Sequence, residues 1–179
     1  SLDDPLSPKG FDQMRAALDA GETWDSVLSS PLRRCHDFAA EKAGAAGIPL
    51  MVEERLREIS FGDWEGRTPD EVAEFDAERQ AAFWRDPVGN TPPDGEPLAA
   101  FSGRVGQGWQ AQVEALQGRR LLFVGHGGVI RMILAHELGM APAVAMARIQ
   151  VPYACRSRLR IDHTDHGRLV SLVFHGAPA

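Results

Sequence analysis

The chain has 179 residues, 44% apolar and 25% charged, a balance that fits one folded domain and excludes a disordered segment. Its formal net charge of −6, from 19 basic and 25 acidic side chains, leaves no broad basic footprint for nucleic acid, so any anion must be held by a local site. Two distant cysteines, Cys35 and Cys155, are too few for a disulfide framework and show no zinc spacing. No apolar run is long enough to span a membrane, and a reducing cytoplasm is the simplest setting.

Ser7-Pro8 predicts a helix start, with Ser as N-cap and Pro at the first helical position. Phe11, Met14, Ala17 and Leu18 recur at helical spacing before Gly21 stops the run. Trp24 to Leu28 reads as a short buried strand. It feeds a helix that Ser30 caps, with Pro31 first and Arg33 and Arg34 in the opening turn, continuing to Gly47. Met51-Val52 predicts a second strand, and residues 55–66 are irregular, charged and aromatic. Thr68-Pro69-Asp70-Glu71 starts a helix that runs through Phe83, and residues 86–97 form a Pro- and Gly-rich loop. Leu98, Phe101, Val105, Trp109, Val113 and Leu116 share one face of a long helix.

Leu121 to Val124 is wholly apolar, which predicts a central strand of a parallel sheet. It runs through Gly125-His126-Gly127-Gly128 into a helix over 129–138, and strands follow between Ile149 and Phe174 around a turn at 162–167. The alternation of strand and helix predicts the α/β class, as a three-layer α/β/α sandwich with a mostly parallel sheet and a single domain over 1–179.

Ligands of open α/β sheets sit beyond the carboxyl ends of the strands, and three residues with matching chemistry fall there. His126 lies between glycines that admit a ligand close to the backbone, and the N–H groups of Gly127 and its neighbours favour an anion. Arg34 follows another strand, and its fork matches two phosphate oxygens. Glu58 lies in a third strand-end loop, where a nearby phosphate would raise its pKa and suit it to general acid work. Each also has a plainer reading: a tight turn, a solvated helix charge, and a carboxylate paired with Arg55 or Arg57. Asp162, His163, Asp165 and His166 read as a solvated turn rather than a metal site.

Ser29-Ser30-Pro31-Leu32-Arg33-Arg34-Cys35, Leu56-Arg57-Glu58-Ile59-Ser60-Phe61-Gly62-Asp63-Trp64-Glu65-Gly66 and Val124-Gly125-His126-Gly127-Gly128 resemble, in order, the second, third and fourth motifs of the histidine phosphatase (phosphoglycerate-mutase-like) superfamily. Asp4 to Gly10 resembles that family's approach to its first helix. The resemblance implies a phosphomonoesterase acting on a small phosphate ester through a phosphohistidine, with no metal and no cofactor. Arg34, His126 and Gly127 would bind the phosphoryl group, His126 would stabilise its transition-state charge, and Glu58 would protonate the leaving oxygen and later activate water.

The family's first motif, Arg-His-Gly or a close variant, brings the nucleophilic histidine and has no counterpart here. Neither His36, His136, His163, His166 nor His175 has the strand-end setting, so the nucleophile is expected upstream of Ser1, on a strand and loop of about 20 residues. The wording of Phe61 to Gly66 and of Pro93-Asp94-Gly95-Glu96 resembles α-ribazole phosphatases of cobalamin synthesis, and the short span 63–97 implies a small cap over the site. A broad-specificity phosphatase or a phosphoglycerate mutase is the alternative within the family. Outside it stand an inactive phosphate-binding module and an α/β-hydrolase, whose Gly-x-Ser-x-Gly elbow is missing. The sequence leaves the oligomeric state open.

Overall fold

A computed structural model of the chain describes residues 2–18 and 21–176; the expected start at Ser1 lies outside them. The elements run α1 (Pro8–Ala16), β1 (Ser26–Ser29), α2 (Arg33–Ala46), β2 (Leu50–Val52), α3 (Pro69–Arg85), α4 (Leu98–Ala115), β3 (Leu121–Val124), α5 (Gly127–Leu138), α6 (Pro142–Arg148), β4 (Arg156–Thr164) and β5 (Gly167–Gly176). Single 3-10 turns at Glu54–Leu56 and Gly62–Trp64 interrupt the irregular stretch after β2.

Local chemistry accounts for several boundaries. The Ser7 side chain accepts the Gly10 N–H ahead of Pro8, and Thr68 and Glu71 close a capping box at the start of α3. Gly47 and Gly139 end α2 and α5 in the left-handed conformation. The start of α2 departs from expectation: the helix begins at Arg33 with Leu32 as its N-cap and no capping side chain. Ser30 lies two residues before that N-cap, where its hydroxyl accepts the Leu32 N–H at 3.3 Å and also meets His126. No pattern in the sequence anticipates α6, a short helix that puts Ala145 in the core.

β1 pairs in parallel with β2 and with β3, giving the order β2-β1-β3. Neighbouring residues of β1 point to opposite faces. Leu28 packs among Phe101, Val105, Val129 and Met132 of α4 and α5, and Val27 packs among Phe38, Ala39 and Ala43 of α2, with Phe11 and Met14 of α1 at its margin. These two cores make the three layers. β4 and β5 form a separate antiparallel hairpin. β3, expected to be central, is apolar but among the described residues stands at the edge of the sheet, with β1 at the centre. An apolar strand buried on both faces normally pairs on both sides, yet among the described residues β3 bonds to β1 alone.

Candidate active site

The carboxyl ends of β1, β2 and β3 open on one side of the sheet, and the chain leaving each end delivers one of the three expected residues. Arg34 is in the first turn of α2, Glu58 is six residues past β2, and His126 is the N-cap of α5. They do converge. Arg34 lies close enough for its charge to act on both Glu58 and His126.

Glu58 takes neither of the plainer partners. Arg55 pairs with Glu53 at 2.8 Å and Arg57 with Glu54 at 2.6 Å. Glu58 instead accepts the Gly128 N–H at 3.0 Å and its neighbour Ile59's N–H at 3.1 Å. Glu58 is half-buried, and desolvation raises its pKa against the pull of those N–H groups and of Arg34 and Arg131. The raised value expected from a nearby phosphate is thus already present without one, from desolvation. A Cβ on Gly128 would stand 2.4 Å from the Glu58 carboxylate, so glycine is required for that approach.

His126 is buried, and its Nε2 lies 2.7 Å from the Ser30 hydroxyl. The Cys35 sulfur sits 3.5 Å from Nδ1. Burial, followed by the positive charges of Arg34 and Arg104, pushes the imidazole down to about 3, so the ring is neutral at pH 7. The same burial pushes the Cys35 thiol up to about 12, which keeps it protonated. Arg34 directs Nη1 at the Leu2 carbonyl, 2.7 Å away. Gly127 opens α5, and a Cβ there would meet the Arg131 guanidinium at 3.3 Å.

Three residues that the sequence did not single out shape the site. Ser30, wholly buried, fixes the His126 ring. Arg104 of α4 pairs with Glu96 at 2.6 Å and donates to the carbonyls of Arg55, Arg57 and Glu58. It thereby ties the loop after β2 to the loop before α4. Its position beside the apolar stripe of α4 was the available signal. Arg131 of α5 is held by the Ile149 carbonyl at 2.8 Å.

A cleft of about 120 Å³ leads away from Glu58 between Ile59, Phe61, Trp84, Arg131 and Met146, with Gly128 at its base. In the loop after β2, Asp63 donates its N–H to the Pro93 carbonyl at 3.0 Å. Gly62 beside it has φ +56, and a Cβ there would meet that carbonyl at 2.0 Å. A larger hollow of about 580 Å³ lies towards the opposite end of α5, by Trp109, His136, Glu137 and Arg168. None of the three expected residues lines it, and Glu58 alone of the three lines the smaller cleft.

No second histidine joins His126 among the described residues. His36 is beside Asp37, His136 crowds Gly106, and His175 bonds Ser157 and the Gln150 carbonyl. The turn at 162–167 does not gather its side chains either, since Asp162 pairs with Arg160 at 2.9 Å. No helix among the described residues is long and apolar enough to cross a membrane.

The chain is similar to proteins of one family. The chain is 32% identical over 160 residues to an adenosylcobalamin/alpha-ribazole phosphatase of Escherichia coli, covering 88% of this chain and 78% of that one. It is 31% identical over 159 residues to a probable phosphoglycerate mutase of the same species, covering 88% and 74%. A crystal structure of a putative alpha-ribazole-5'-P phosphatase from Escherichia coli superposes with a TM-score of 0.81 at 31% identity, over 98% of this chain and 85% of that one. The model of the histidine phosphatase superfamily (branch 1) matches residues 1–174, and the chain belongs to that family.

Proposed function

We propose that the protein is a phosphatase that hydrolyses a small phosphate monoester through a phosphohistidine, with α-ribazole phosphate the leading substrate. The observation that carries the reading is the pairing of Glu58 with the Gly128 N–H at 3.0 Å. It sets a protonatable carboxyl beside the anion-binding start of α5 and two residues from His126. Arg34 and the Gly127 N–H would hold the phosphoryl oxygens, one of them replacing the Leu2 carbonyl on Arg34. Neutral His126 would donate to a third.

In the first step the P–N bond to the nucleophilic histidine forms as the P–O bond to the alcohol breaks, and Glu58 passes its proton to the leaving oxygen. In the second, water attacks phosphorus, Glu58 takes the water's proton, the P–N bond breaks and inorganic phosphate departs. The nucleophile is assigned to a histidine outside these 179 residues. The unpaired apolar edge of β3, next to the Gly125-His126 turn, supports a further strand there. Residues 63–97 form the cap. Binding of nucleic acid, metal or cofactor plays no part in this reading.

The names of the relatives support the substrate. Rapid quenching of the full-length protein with labelled α-ribazole phosphate is expected to trap an acid-labile, alkali-stable phosphoenzyme mapped to a histidine preceding residue 1. Turnover without such an intermediate, or turnover lost to chelator, would overturn the mechanism. Transfer of label to a second alcohol in place of inorganic phosphate would favour the mutase.

A further inference from the structure

The geometry points to Trp84 as the residue that selects the leaving alcohol, favouring esters whose alcohol carries a flat apolar ring. The inference rests on the placement of phosphate and acid proposed above. If Arg34 and His126 hold the phosphoryl group and Glu58 reaches the leaving oxygen, the alcohol leaves beside Glu58. Glu58 lines the cleft, which neither Arg34 nor His126 lines, and apart from Arg131 and Glu58 its walls are apolar or glycine.

Trp84 stands out among those walls. It is 56% exposed in the last turn of α3, where a large aromatic ring gains nothing from water. It is nevertheless held in place: Phe83 meets it edge-on with ring centroids 5.0 Å apart. Phe83 is in turn buried at 2% and packed against Phe61 and Trp64. Trp64 is fixed by a hydrogen bond from its indole to Asp76 at 3.0 Å. A bare ring on a rigid aromatic stack, at the mouth of the cleft that contains the acid, is a platform for stacking. A ring on the alcohol would cover it at little entropic cost.

The test uses phosphonates in which CH2 replaces the leaving oxygen, so that binding is read without turnover. Calorimetric titration is expected to give phenethylphosphonate about tenfold tighter binding than propylphosphonate. Trp84→Ala should cut that preference to about twofold or less, and Trp84→Phe should restore most of it. Phe75→Ala, on the exposed surface of the same helix and outside the cleft, should leave the preference as it is. An absent preference in the unaltered protein, or a full one in Trp84→Ala, would overturn the inference. Hydrolysis of the matching esters is scored separately. Selective binding without hydrolysis would sink the proposed reaction alone, and hydrolysis without selectivity would sink the role of Trp84 alone.

Discussion

Two of the carboxylates in the loop that follows β2, Glu53 and Glu58, stand five residues apart, and the fold treats them in opposite ways. At its beginning, Glu53 takes two hydrogen bonds from the Arg55 guanidinium and one from Gln112. The Arg55 side chain foremost holds its pKa down to about 2. At its end, Glu58 has no guanidinium in contact. Burial is its strongest influence, and its pKa is raised. One carboxylate is thus fixed as an anion and serves as a strut, while the other is poised to hold and release a proton. In the proposed reaction, what would suit Glu58 to its role is the absence of the partners that Glu53 and Glu54 have.

Removing the proton carrier tests that contrast most severely. Glu58→Gln should lower kcat by about a thousandfold for esters of alkyl alcohols, and much less for aryl esters whose leaving group needs no proton. An equal loss for both would remove Glu58 from the acid role. The same variant should be more stable than the parent at neutral pH. With a folded pKa above that of the unfolded chain, Glu58 favours folding at low pH and loses that contribution as pH rises through its folded value. Chemical denaturation at several pH values reads the slope.

Gly128→Ala keeps both carboxylates and disturbs only the contact of Glu58 with α5. Its methyl group would collide with the carboxylate, and displacement by about 1 Å should cost on the order of a hundredfold in kcat/KM. Near-normal activity would mean that the carboxylate does not sit against this backbone during turnover.

Arg104→Ala removes the link between the two loops. Three carbonyls and Glu96 lose their partner, and denaturation should show a loss of about 2 kcal/mol, with kcat falling as Glu58 loses its anchor. Loss of stability with unchanged kcat would make Arg104 a structural tie alone.

The smallest effect belongs to the strut. Arg55→Ala should cost less than any of these at neutral pH, because the Arg55 side chain is exposed and water screens the pair. A carboxylate with a depressed pKa stabilises the fold above its ordinary value of 4.5 and loses that contribution as pH falls towards about 2. The variant's stability should therefore decline less steeply than the parent's over that acid range. Parallel curves would show that Glu53 draws little from Arg55.

The sequence by itself determined the order of helices and strands apart from α6, the caps at Ser7 and Thr68, the α/β layering and the strand-end positions of Arg34, Glu58 and His126. These follow from local rules of periodicity, turn chemistry and strand-end position, which act within a few residues. It misplaced Ser30 as the cap of α2 and passed over Arg104, Arg131 and α6. Ser30 meets His126 across 96 residues, and Arg104 meets the Arg55 carbonyl across 49. Only the tertiary structure decided those contacts, and with them which carboxylate of the β2 loop stays charged. A hydroxyl beside a helix start serves as a cap or as a histidine's partner according to what the crossovers bring next to it. An arginine one position off an apolar stripe is solvent-facing or a tie between loops for the same reason.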